Sequence, residues 1–168
     1  MSVTTDAATM SLFDALHTRR SVRGYIDKPV PQDLMQQIFA LAQRTPSNCN
    51  IQPWKVFVAS GETRDKMRET MITNITGGIT PNQDYEYPGK FEGEYRKRQV
   101  DCAVEMYNAM GITREDSAGR GRAALRNFEL FDAPHVAFIG MDKAFGATVA
   151  LDVGMYIQSL MLVMTAHG

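Results

Sequence analysis

Three arginines and a serine lie within five residues near the start of this 168-residue chain: Arg19, Arg20, Ser21 and Arg23. A guanidinium group can bind two phosphate oxygens through parallel hydrogen bonds, and it stays charged at any accessible pH. The alternative is a solvated helix end, because positive charge there simply complements the helix dipole. The segment therefore predicts either a phosphate site or an exposed helix terminus.

A second polar segment, residues 46–54, has the sequence PSNCNIQPW. Serine and asparagine favour turns because their side chains form hydrogen bonds with the nearby backbone, and proline restricts the chain further. Alone, the segment could be a helix stop followed by a buried indole. Together with the arginines, it indicates a small phosphorylated ligand that has a polar ring edge.

Composition excludes several other classes of protein. The formal net charge is −1, with 44% hydrophobic and 22% charged residues, so no overall positive field would attract nucleic acid or an anionic membrane. Cys49 and Cys102 are too few for a disulfide scaffold or a zinc site, which favours a reducing, cytoplasmic location. The three histidines lack metal-ligand spacing, and we expect His135 to be a structural histidine with satisfied hydrogen bonds. We therefore expect no metal site.

The pattern of caps, prolines and apolar spacing predicts one domain over residues 10–168, after a flexible tail over 1–9. Ser11 and Asp14 form a capping box for a first helix, and Pro31 begins a second one that is stopped by Pro46. Strands are predicted over 54–59 and 135–140, the latter buried, with a third helix beginning after residues 60–62. An irregular loop is expected over 75–89, and further helices over 91–110, 114–131 and 148–164.

The last of these helices is apolar almost all round. It is shorter than the ~20 apolar residues of a membrane span, and Asp152, Gly154 and Gln158 interrupt it. We therefore expect a central helix that is buried by the core and by a partner subunit, and no association with a membrane.

The motifs RRSxR and PSxxNxQPW, with the strand that follows, resemble the N-terminal half of the FMN-dependent nitroreductase family. The similarity continues into residues 152–158, DVGMYIQ, and so covers nearly the whole chain. Residues 87–133 resemble, more weakly, a subgroup that reduces nitrobenzoate-like aromatics. The order and separation of the two motifs make an accidental similarity improbable.

The resemblance implies a homodimer that binds the flavin at the subunit interface. The first motif would hold the FMN phosphate and ribityl chain within one subunit, through Arg19, Arg20, Ser21 and Arg23. The second motif would reach a flavin held mainly by the other subunit, through Pro46, Ser47, Asn48 and Asn50. Gln52 would add a further polar contact to the cofactor.

The implied fold is α+β, with a small, mostly antiparallel sheet, surrounding helices and a long central helix at the dimer interface. Family chains continue beyond the point that matches Gly168, through a segment facing flavin N5, another strand and a tail that wraps the partner. We therefore expect this sequence to be C-terminally incomplete.

The implied reaction is a ping-pong hydride transfer. NAD(P)H reduces the flavin and leaves, and a nitroaromatic, quinone or similar small-molecule acceptor is then reduced in its place. No protein side chain needs to be a nucleophile. Related family members deiodinate tyrosines or fragment flavin, and these activities stay open. A second hypothesis, from a different functional class, is a non-catalytic flavin-binding or structural fragment. It stays open because the segment that faces flavin N5 in the family lies beyond the point that matches Gly168.

Overall fold

The structure is a computed structural model that describes residues 10–85 and 89–168. The predicted tail over 1–9 and the end of the predicted loop, 86–88, lie outside the described residues. Six α-helices and two strands follow one another in the order α1 (Leu12–Thr18), α2 (Gln32–Ala42), β1 (Lys55–Ser60), α3 (Gly61–Thr76), α4 (Gly93–Ala109), α5 (Ser117–Leu125), β2 (His135–Gly140) and α6 (Ala147–Ala166). Short 3-10 turns cover Asn48–Asn50 and Leu130–Asp132.

The chain divides into two compact units, of which the first joins the N-terminal residues up to Arg64 with Ala133–Gly168. Its sheet consists of β1 and β2, which pair antiparallel from Lys55 opposite Gly140 to Ser60 opposite His135. The predicted burial of β2 is wrong, because none of its six residues is fully buried. A two-stranded sheet leaves one face open to solvent, as the 64% exposure of Phe57 on β1 shows.

The core of this unit joins α2, β1 and α6. Five buried side chains form its cluster, namely Ile38, Ala42, Trp54, Tyr156 and Leu160. Two of them, Ile38 and Ala42, come from α2, since residues four apart lie on the same face of a helix. However, α2 ends at Ala42, four residues before Pro46, so the proline does not itself stop the helix.

The central helix α6 packs against α1, α2 and β2. Within the described part of the chain it is also the single helix long and apolar enough to cross a membrane by those two criteria alone. Its buried Asp152 accepts a hydrogen bond from the backbone of Asn48, which ties the helix to the turn over Asn48–Asn50. Only four of the 20 residues of α6 are buried, so the core covers one side of the helix and the expected burial by the core is only partial.

The second unit, Asp65–Asp132, contains most of α3 together with α4 and α5. Helix α4 ends at Ala109, and Gly111 two residues on lies in the left-handed region at φ 67°, the conformation in which glycine commonly closes a helix. The predicted helix over 114–131 is wrong in its second half. Leu130, Phe131 and Asp132 all have positive φ, which a right-handed helix cannot contain.

An arginine stabilises this break in the second unit. Arg126 donates to Glu129 at 3.0 Å and to Asp132 at 2.7 Å. These two hydrogen bonds raise the pKa of Arg126, the bond to Asp132 contributing most. Arg126 and Glu129 would also be neighbours in a helix, whereas Asp132 lies six residues beyond Arg126 and contacts it where the chain turns.

Candidate cofactor site

The arginine segment begins where α1 ends. Ser11 caps the helix by accepting from the Asp14 N–H at 3.1 Å, and the Ser11 hydroxyl donates to the Asp14 carboxylate at 2.6 Å. The first bond confirms Ser11 as the predicted N-cap, whereas Asp14 returns the contact to the Ser11 hydroxyl and not to its backbone N–H as a capping box requires. At the other end the Arg19 N–H donates to the Ala15 carbonyl at 2.9 Å. The chain then leaves the helix as an irregular, largely exposed segment that carries the predicted phosphate ligands.

The guanidinium groups of this segment contact backbone carbonyls. Arg20 donates from Nη1 to the carbonyls of His17, at 2.7 Å, and Arg19, at 2.9 Å. Arg23 donates to the Ser21 carbonyl at 3.2 Å. Over residues 10–85 and 89–168, none of the three arginines forms an ion pair with a carboxylate. Their positive charge is therefore available to an anionic ligand.

The second predicted segment forms a turn with an unusual backbone. Cys49, Asn50 and Gln52 have φ values of 50°, 55° and 46°, in the left-handed region. Asparagine adopts this conformation more readily than cysteine or glutamine does. A non-glycine residue held there costs about 1–3 kcal/mol when the surrounding structure imposes it, and such residues are frequent at ligand sites.

Hydrogen bonds from both ends of the turn hold this backbone. Ser47 accepts the Gln52 N–H on its hydroxyl oxygen at 2.9 Å and the Asn50 N–H on its carbonyl at 3.0 Å. The Asn48 N–H donates to Oδ2 of Asp152 at 3.1 Å. The carboxylate reaches the turn from α6, a long way off in sequence, so the core itself sets the turn's position.

A chain of side-chain hydrogen bonds also connects the turn to the core. The Trp54 Nε1–H donates to Oε1 of Gln43 at 2.9 Å, and Nε2 of Gln43 donates to Oε1 of Gln52 at 3.1 Å. Nε2 of Gln52 then donates to Oδ1 of Asn50 at 2.8 Å. We call these four side chains the amide relay.

The structure thus brings together one half of the predicted site. Ser47, Asn48, Asn50 and Gln52 belong to a single hydrogen-bonded turn, which Pro46 precedes. In the parts of the chain that the structure describes, no hydrogen bond joins this turn to the arginine segment. The two halves are linked through α6, which packs against both α1 and α2.

Sequence reasoning assigned no role to two residues that position the turn, Gln43 and Asp152. An acidic residue within an apolar helix was a usable signal for Asp152, because a buried carboxylate requires a hydrogen-bond partner. Gln43 offered no such signal, since its partners are set by how α2 and β1 pack.

His135 fixes the backbone downstream of the arginine segment. Its Nε2 accepts the Val30 N–H at 2.9 Å, and its Nδ1 lies 2.5 Å from the Ser60 hydroxyl. Because Nε2 accepts, the hydrogen bond to Ser60 is formed by Nδ1, the other ring nitrogen. Both ring nitrogens have partners, which confirms the predicted structural histidine.

The helices and the small antiparallel sheet define an α+β protein. A sequence profile of the Nitroreductase family matches residues 16–168. The chain belongs to this family, and its two-stranded sheet, surrounding helices and central α6 constitute the expected nitroreductase-like α+β fold.

Curated relatives and a solved structure agree with this assignment. The chain is 37% identical to the nitroreductase NfnB of Mycolicibacterium smegmatis, over 89% of this chain and 64% of the relative. It is 31% identical to the 4-nitrobenzoate reductase of Pseudomonas putida, over 93% and 69% respectively. The crystal structure of the FMN-dependent nitroreductase NfnB from Mycobacterium smegmatis in complex with NADPH superposes with a TM-score of 0.87 at 36% identity, covering 92% of this chain and 69% of that one. The chain thus spans about two thirds of their length.

Proposed function

We propose that this chain is an FMN-dependent oxidoreductase that uses NAD(P)H to reduce nitroaromatic, quinone or similar small-molecule acceptors. The observation that carries the proposal is the arginine segment, which has no carboxylate partner among the described residues, in a chain that also contains the donor-rich turn. Relatives that are named as a 4-nitrobenzoate reductase and as an FMN-dependent nitroreductase in complex with NADPH support the cofactor, the reductant and the acceptor class.

The chemistry of the residues fits FMN. Arg19, Arg20 and Arg23 supply guanidinium groups for a phosphate dianion, and Ser21 adds a hydroxyl. Ser47 has its oxygen occupied by the Gln52 N–H, so the hydroxyl proton is free to point to a ligand. In this proposal the arginine segment holds the phosphate, and the turn contacts the ring edge.

A homodimer belongs to the same proposal, with the turn of one subunit reaching a flavin held by the other. Apolar side chains on two packed helices of the first unit support it, since large exposed apolar surface marks an interaction site. On α1, Phe13 is 75% exposed and Leu12 61% exposed, and on α6 Leu151 is 69% exposed. A cytoplasmic location fits the two free cysteines.

When bound, FMN would supply the reversible hydride transfer, and the protein would bind, orient and electrostatically tune it. The guanidinium groups neutralise the phosphate charge. The hydroxyl of Ser47 and the amide of Asn50 offer donors to polar atoms of the ring. The part-buried hydrogen bond from Asn48 to Asp152 keeps these donors in place.

The visible spectrum of the purified chain tests the proposal. We expect added FMN to bind and to give a yellow protein that bleaches when NADPH is added without oxygen, with colour restored by 4-nitrobenzoate. Bound FMN that never bleaches would identify a non-catalytic flavin-binding module instead. No uptake of FMN would refute both the enzyme and the phosphate site.

A further inference from the structure

The amide relay has a direction that its chemistry dictates. The indole Nε1–H of Trp54 can only donate, so Gln43 must present its oxygen to it. Gln43 consequently presents its NH₂ group to Gln52, and Gln52 in turn presents its oxygen to Gln43 and its NH₂ group to Asn50. Each amide is thereby oriented by the preceding one, starting from a donor in the core.

The last amide of the relay inherits this orientation. Asn50 accepts from Gln52 on Oδ1, which leaves its Nδ2 group without a partner in the relay and directed away from it. Asn50 is exposed, and its backbone is held in the left-handed region at φ 55°. Its side chain therefore offers a ligand a hydrogen-bond donor. That the free group is the NH₂ and not the oxygen is determined by Trp54, at the other end of the relay.

We infer that Gln43 and Trp54 are positioning residues that make Asn50 a hydrogen-bond donor to an acceptor atom on the flavin ring. The inference rests on the proposed function for its ligand. An oxidised isoalloxazine edge presents carbonyl oxygens and unprotonated ring nitrogens that accept hydrogen bonds, beside a single N–H donor. A donor at Asn50 suits these acceptors. Phosphate oxygens accept as well, so the titration with riboflavin, which lacks the phosphate, separates the two.

Anchoring at Trp54 gives the relay a fixed end. The indole is 7% exposed and stacks on Tyr156, so it cannot rotate to offer another group to Gln43. The three amides are exposed and could each rotate by 180° without steric cost if Trp54 did not set their order. The buried Trp54 therefore determines which end of the exposed Asn50 amide, its NH₂ group or its oxygen, is free for a ligand.

The substitution Gln43→Glu should reverse the relay without touching Asn50. A carboxylate still accepts from Trp54, but it cannot donate to Gln52. Gln52 would then turn its NH₂ group to residue 43 and its oxygen to Asn50, which would donate to it and present its own oxygen to the ligand. Two acceptors would face each other at the ring edge.

Titration with riboflavin and with FMN measures the result. We expect Gln43→Glu to weaken both ligands by about tenfold, because the lost hydrogen bond lies at the ring. The control Gln36→Glu adds the same charge on an exposed position of α2 outside the relay, and it should leave both affinities unchanged. Gln43→Glu combined with Asn50→Asp should bind no more weakly than Asn50→Asp alone. Equal affinities for the Gln43→Glu and Gln36→Glu proteins would overturn the inference.

Nuclear Overhauser contacts of the Gln52 side-chain amide protons test the relay without any ligand. In the wild-type chain these protons should show contacts to Asn50, and in Gln43→Glu they should show contacts to residue 43. Amide protons that stay near Asn50 in the variant would overturn the inference even if flavin binding fails. Wild-type chain with the expected contacts but no flavin uptake would instead refute the proposed function, and with it the ligand assigned to Asn50.

Discussion

Trp54 and Tyr156 stack with their ring centroids 4.7 Å apart and their planes inclined by 16°. The pair joins the start of β1 to the middle of α6 and lies within the core cluster. Offset stacking of aromatic rings adds about 0.5–1.5 kcal/mol to the free energy from buried area. The same indole begins the amide relay, so core packing and the geometry of the candidate site depend on one side chain.

The Tyr156 phenol should make the fold sensitive to alkali. Burial raises its pKa, because the interior disfavours the charged phenolate. An unfolded tyrosine loses its proton near pH 10 while the folded one retains it, so the free energy of unfolding falls as pH rises above about 10. We expect Tyr156→Phe to unfold at nearly the wild-type urea concentration at pH 7 and to lose less stability between pH 9 and 11. Parallel losses in the two proteins would contradict this account.

Local signals in the sequence located most elements of the fold. The N-cap at Ser11 agrees with the structure, and the helices predicted over 91–110 and 148–164 match α4 and α6 to within two residues at each end. Such signals fail where the backbone departs from its preferred regions. The break over Leu130–Asp132 depends on positive φ at three non-glycine residues and on ion pairs to Arg126, which no local preference indicates.

The residue types of the candidate site could be predicted from the sequence, but the geometry of its turn could not. Serine and asparagine at positions 47, 48 and 50 indicated a polar turn, and the structure contains one. The direction of the amide relay arises only when α2, β1 and the turn are packed together. Long-range contacts of this kind, Asn48 to Asp152 among them, carry no sequence periodicity.

Asp152 should stabilise the turn from within α6. Asp152→Ala leaves the Asn48 N–H without its acceptor, and the loss of one part-buried hydrogen bond costs about 0.5–1.5 kcal/mol. Asp152→Asn keeps an oxygen acceptor and removes a buried charge, so we expect it to retain most of the stability. Urea unfolding of the two variants beside the wild type provides the measurement. Equal losses for alanine and asparagine would show that the hydrogen bond contributes nothing.

His135 should protect the backbone amide of Val30 from hydrogen exchange. Glutamine can place an acceptor near the position of Nε2, whereas asparagine reaches only as far as Nδ1. We therefore expect exchange at Val30 to be about fivefold faster in His135→Asn than in His135→Gln, which matches the loss of one hydrogen bond of roughly 1 kcal/mol. Ser60→Ala is the control, because it removes the Nδ1 contact and leaves the Val30 bond. Unchanged exchange in His135→Asn would refute the role.

Arg19 should discriminate between flavins that have or lack a phosphate. Arg19→Ala should weaken FMN by about 1.5–3 kcal/mol, the range for a hydrogen bond to a charged group, and should leave riboflavin almost unaffected. The control Arg98→Ala removes the same charge from an exposed position on α4 and should change neither affinity. Isothermal titration of both ligands measures the difference. Equal losses of affinity for FMN and riboflavin in Arg19→Ala would show that this segment does not bind the phosphate.

The most direct measurement is a paired titration of the wild-type chain with FMN and riboflavin, followed by visible absorption. If the arginine segment and the turn form a flavin site, both ligands bind and FMN binds more tightly, with a preference that weakens as salt screens the phosphate contacts. FMN and riboflavin of equal affinity, or neither binding at saturating concentration, would contradict the account.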